Sequence, residues 1–79
     1  MIAEYAETMR KEVVVQRSRV AGLRERYDRH IENKNHGLAA ITRGQCQKET
    51  GILAGMEYAL ELAEGYISDY LDELEAHYG

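Results

Sequence analysis

The groups of this 79-residue chain best suited to bind a metal or attack a substrate are His30, His36, His77 and a single cysteine, Cys46. Their spacing contains no CxxC, HxxxH or HExxH pattern, so no metal ligand and no cofactor-binding residue is assigned. Catalysis has no better starting point elsewhere. The chain has no nucleophile elbow or phosphate loop, and its many carboxylates read as a solvated face. No catalytic residue is named, and the chain reads as a non-enzyme. Cys46 has only Arg43 and Lys48 near it in sequence, whereas a reactive thiol wants a cluster of positive charge. The favoured reading makes it a small apolar contact at the start of a helix.

These groups must be positioned by a very small scaffold. At this length there is one domain, which buries only about 60% of its unfolded surface and needs a disulfide, a metal or a second subunit. One cysteine rules out an intrachain disulfide and suits a reducing cytoplasm. Self-association is what remains. The N-terminus, MIAEYAETMRKEVVV, carries acids early and lacks an apolar run of signal-peptide length. Nothing approaches the ~20 apolar residues that cross a bilayer. A cytoplasmic protein with no membrane partner is therefore expected. There is no proline, and Ala, Glu, Leu and Arg are abundant, so helix is expected throughout. Six tyrosines without Phe or Trp suit half-buried seams better than a dry core.

Apolar residues at Ile2, Tyr5, Met9, Val13, Val20, Leu23, Tyr27 and Ile31 predict a first helix over residues 2–36. Gln16 interrupts that stripe. It is either a partly exposed position at the edge of the seam, the reading favoured here, or a buried amide that fixes register and subunit number. Gly37 is placed as the left-handed residue past the helix end. Residues 37–41 then form a loop. Thr42 and Gln45 form a capping box, with Ile41 and Cys46 as a hydrophobic staple, opening a second helix over 42–78. Both helices come out near 35 residues, roughly 52 Å at 1.5 Å per residue. The fold expected is an all-α antiparallel hairpin.

The second helix is apolar over too much of its surface for one neighbour. Ile52, Met56, Leu60, Ala63, Ile67, Tyr70, Leu71, Leu74 and Tyr78 form a stripe, and Gly55, Tyr58, Leu62 and Tyr66 widen it to roughly twice the ~100° arc that one contact needs. Gly51, Gly55, Ala59 and Ala63 recur every four residues, a row of small side chains that lets another helix approach closely. The plain alternative is that these glycines merely loosen a helix start. Gly51, Gly55, Tyr58, Ala59, Leu62, Ala63 and Tyr66 are accordingly the expected self-association surface, and dimerisation into a four-helix bundle is the expected outcome.

Charge is unevenly shared. Residues 1–36 carry eight Lys/Arg against six acids, and residues 37–79 carry two against eight. Folded as an equal hairpin, Glu4 and Glu7 would lie beside Asp69, Asp72, Glu73 and Glu75. That acidic end favours antiparallel pairing of two hairpins, end against basic middle, or docking on a basic partner protein. Asp69, Asp72, Glu73 and Glu75, with Tyr66 and Tyr70 as anchors, could then imitate nucleic-acid phosphates; simple solubilising charge is the favoured alternative. Nucleic-acid binding by residues 16–29 is disfavoured. Arg10, Arg17 and Arg24 fall on one edge of the apolar stripe and Arg19 and Arg26 on the other, where they cover a seam instead of forming an outward basic face.

The stretch GILAGMEYALELAEGYI, residues 51–67, following a polar linker and a charged first helix, resembles the short helical-hairpin proteins encoded by bacteriophages and prophages. It contains no diagnostic motif and assigns no functional residue. The resemblance implies an accessory protein inside a host cell, acting on a host or defence protein as an inhibitor or adaptor. A purely structural bundle subunit is the alternative.

Overall fold

The computed structural model describes residues 2–78, and within them the chain is two helices, α1 (Ile2–Glu32) and α2 (His36–Tyr78). The side chains of Ile2 and Tyr78, which the sequence assigns to the two apolar stripes, lie outside the described residues. The helical hairpin is therefore as expected, but its proportions are not. The helices have 31 and 43 residues. The molecule is 64 Å long and only 17 by 15 Å across, the length of α2 alone and the width of two helices.

The difference originates in the link. Residues 37–41 are not a loop; they are the first turns of α2. Asn35 N–H donates to the His30 carbonyl at 2.8 Å and Lys34 N–H to that of Ile31 at 3.0 Å. This pair of bonds is a Schellman stop, with Lys34 as its left-handed residue at φ 55°. Gly37 lies inside α2 without a positive φ, so it is not the terminator. Asn35 both ends α1 and starts α2. Its carbonyl accepts from Ala39 N–H at 3.0 Å, and its side-chain oxygen lies 3.5 Å from Leu38 N as the cap. Asparagine is among the strongest N-caps, so α2 nucleates there, seven residues before the Thr42 capping box. Thr42 and Gln45 are consequently mid-helix, Thr42 is buried, Ile41 is exposed, and no staple forms. A lysine in the left-handed region carries a Cβ penalty that glycine lacks. Lys34→Gly should therefore raise the stability of the hairpin by about 0.5–1 kcal/mol in a urea titration. An unchanged or lowered midpoint would remove Lys34 as the stop.

Burial follows a seven-residue repeat. Ala6, Val13 and Val20 are buried on α1, as are Gln16 and Leu23 three residues after the last two, and Met9, Tyr27 and His30 are half-buried. On α2 the same alternation of three and four runs through Ala39, Thr42, Cys46, Glu49, Leu53, Met56, Leu60, Ala63 and Ile67. Side chains spaced this way keep facing one partner along a gently wound pair, whereas a stripe drawn at 3.6 residues per turn drifts ~20° each heptad. That drift explains the exceptions. Tyr5, Ile31 and Ile52 were expected in the seam and are exposed on its edges, while Ala6 and Leu53 take the inner positions.

Register decides what lies beyond the seam. The three-residue link and the helix lengths of 31 and 43 residues bring the first turn of α1 level with about residue 67 of α2. The last three turns of α2 project past α1, carrying Tyr70 and Leu71 exposed. Glu4 and Glu7 therefore do not flank Asp69–Glu75; Glu7 instead lies 3.7 Å from Lys11 one turn along its own helix.

Candidate functional site: an open flank and a projecting helix end

Two packed helices have two long flanks, and here they differ. On one, Arg10 Nε bonds Glu64 Oε1 at 2.9 Å and Arg17 Nε bonds Glu57 Oε1 at 3.2 Å, closing the edge as the arginine placement predicts. These pairs are about half exposed, so each contributes no more than about 1 kcal/mol. Their service is coverage, since the arginine stems lie over the seam.

The other flank is open. Tyr5, Ala59, Leu62, Ala63 and Tyr66 line a shallow groove at its lower end. A second groove, lined by Val15, Gln16, Arg19 and Met56, continues it. A third, of about 450 Å³, lies between Arg19, Gly22, Arg26, Gln45, Lys48 and Glu49 toward the link. Heptad position places Leu38, Ile41 and Ile52 on this same side. Seven large apolar side chains, Tyr5, Val15, Leu38, Ile41, Ile52, Leu62 and Tyr66, are thus exposed along one flank, Leu62 at 47% and Tyr66 at 65%. The lower half is aromatic and aliphatic. The upper half carries Arg19, Arg26 and Lys48.

The expected self-association residues are only partly brought together. Ala59, Leu62, Ala63 and Tyr66 share the lower groove. Ala63, at 6% exposure, is already buried against α1. Gly51 and Gly55 are exposed, and a Cβ at either would meet nothing within 4 Å, so no contact inside the hairpin requires glycine there. Tyr58 is exposed on the outer face of α2, off the groove. The row of small residues thus winds from solvent into the seam. Asp69, Tyr70, Asp72, Glu73 and Glu75 are all exposed on the projecting end.

Gln16 departs from the edge position favoured for it. It is 5% exposed, and its amide nitrogen donates to the Glu49 carboxylate at 2.6 Å and to the Glu49 carbonyl at 2.9 Å. Arg19 Nη1 approaches the same carboxylate at 3.8 Å and the Gln16 side-chain oxygen at 3.4 Å. A polar triad of buried Gln16, half-buried Glu49 and exposed Arg19 therefore crosses the apolar seam. Its signal was in the chain as two polar residues, Gln16 and Glu49, at positions a seven-residue repeat turns inward. Tyr5 and Val15 on the open flank were missed for the same reason, because only the repeat separates edge from interior.

Cys46 is half-buried in the seam. Among the described residues no group of three or more His, Cys, Asp or Glu is placed to hold a metal ion. No helix among them is long and apolar enough to cross a membrane. Arg17 and Arg24 fall on one flank and Arg19 and Arg26 on the other, so residues 16–29 present no single basic face. No family model, curated protein or solved structure matches this chain.

Proposed function

We propose that this hairpin acts through protein contacts, without catalysis, and that its first partner is a second copy of itself, two hairpins closing into a four-helix bundle. The observation carrying this is the asymmetry of the flanks. One carries the arginine–glutamate pairs and, alongside α1, two exposed large apolar side chains, Val14 and Ile31, whereas seven stand exposed along the other. Isolated exposed apolar residues are ordinary on any surface; a line of them along one edge marks a contact. A second hairpin offers the same line in return, so one surface can satisfy both copies.

Light scattering on a sizing column, across a dilution series, tests this directly. The expected mass is twice the 9.0 kDa of the chain at micromolar concentration. Leu62→Glu should convert it to the monomer with helicity retained, because Leu62 is half exposed in the hairpin and can accept charge there. A stable wild-type monomer at every concentration would sink the proposal.

A second reading is favoured by the projection of α2. Its exposed end carries Asp69, Asp72, Glu73 and Glu75, a field suited to a basic surface on another protein. The resemblance of residues 51–67 to phage hairpin proteins supports a cytoplasmic inhibitor or adaptor of that kind. Reversing Asp69, Asp72 and Glu73 separates the readings. Lost capture of a stoichiometric partner with unchanged self-association favours the second; loss of self-association favours the first.

A further inference from the structure

We propose that the second copy lies antiparallel along the open flank, on a two-fold axis beside Ala59, so that the projecting end of each α2 occupies the basic groove of the other copy. This rests on the self-association proposed above and specifies its geometry. Ile52 and Tyr66 lie seven residues to either side of Ala59, and Gly55 and Ala63 lie four to either side. An axis at Ala59 therefore sets Tyr66 of one copy against Ile52 of the other. It also brings Leu62 of one copy opposite Met56 of the other, one residue from Gly55, where the hairpin leaves open space around the missing Cβ. The small side chain of Ala59 allows the helices to approach at the centre.

Charge selects this orientation independently. Further along the same flank, the axis carries Asp69, Tyr70 and Glu73 of one copy to the groove of the other, where Arg19, Arg26 and Lys48 outweigh the single carboxylate of Glu49. A parallel arrangement would stack the acidic ends on each other and the basic grooves on each other, and like-charge contacts oppose association. Pairing of the projecting ends alone would set four carboxylates against four. The antiparallel arrangement also accounts for the exposed apolar residues past the end of α1. Tyr70, which continues the seven-residue repeat with no α1 beneath it, gains a neighbour in the other hairpin.

Cysteine pairing tests the register. In a Cys46→Ala background, Ile52→Cys and Tyr66→Cys are made separately, both at exposed positions outside the seam. Under mild oxidation each alone should give no crosslink, because identical residues would lie about 21 Å apart along the axis. An equimolar mixture should crosslink, the paired positions being within the ~7 Å Cα separation a disulfide spans. Crosslinking of each variant with itself would overturn the antiparallel arrangement. A dimeric mass with no crosslink in the mixture would overturn the register while leaving self-association intact. A monomeric wild type would remove both.

Charge exchange gives a second readout that leaves the apolar contacts untouched. Asp69→Lys/Glu73→Lys and Arg26→Glu/Lys48→Glu should each weaken the dimer about tenfold or more, and mixing the two should restore it, since both grooves in the mixed dimer regain opposite charge. Weakening without restoration would overturn the pairing of end with groove.

Discussion

Replacing Gln16 by leucine is expected to lower the stability of the hairpin by about 1–3 kcal/mol, although it inserts an apolar side chain into an apolar seam. The cause is the partner left behind. Glu49 is half-buried, and its side chain, at 20% exposure, takes its shortest bond from the Gln16 amide. Without that donor the carboxylate retains only Arg19, at 3.8 Å. A buried acceptor that loses its donor bears the full cost of its lost hydration. Removing both partners should behave differently. Gln16→Leu/Glu49→Leu should recover most of the lost stability or exceed the wild type, as buried polar clusters often do when replaced together by apolar residues. The double variant should lose definition instead, with broader or multiple masses on a sizing column, because an apolar layer tolerates shifted registers that a hydrogen-bonded layer excludes. A urea midpoint lower for the double than for the single variant would show that the triad stabilises the hairpin on its own account.

Val13→Asp should abolish the paired fold. Val13 is 2% exposed at the middle of α1. An unpaired charge at such a site costs about 3–5 kcal/mol. A single core in a chain this short supplies a comparable total. The neighbouring position provides the control. Val14 is 64% exposed, and Val14→Asp should stay within about 0.5 kcal/mol of the wild type. Thermal unfolding by circular dichroism reads both. Cooperative unfolding of Val13→Asp near the wild-type temperature would show that the seam opens at Val13 or is not the structural core. The contrast between adjacent valines follows from the helix alone, since successive side chains point 100° apart.

These two positions also show what could be read from the chain directly. Val13 belonged to the seam by its spacing from Met9, Val20 and Leu23, and the structure buries it. Gln16 had the same spacing, but its polarity pointed outward. A propensity for water describes a side chain with no partner, and Glu49 lies 33 residues away in sequence. Only the pairing of α1 with α2 brings the two together. The left-handed stop followed a similar course. Glycine is the default residue for it, yet Lys34 occupies it because Asn35 starts α2 immediately afterwards and leaves no room for a longer link.

Two helices, their antiparallel pairing, and arginines at the edges of the seam were legible in the order of residues, because periodicity and local propensity act within a few turns. Helix length, the open flank and the projecting acidic end were not. Each depends on register, and register is set by where one helix stops and the next starts. Moving that point from Thr42 to Asn35 gave α2 its extra turns and carried Asp69–Glu75 clear of α1. The flank that stays open was likewise decided between helices. Arg10 and Arg17 meet Glu64 and Glu57 on one side, while Tyr5 meets Leu62 and Tyr66 on the other, and no residue in either helix records which edge the other will cover.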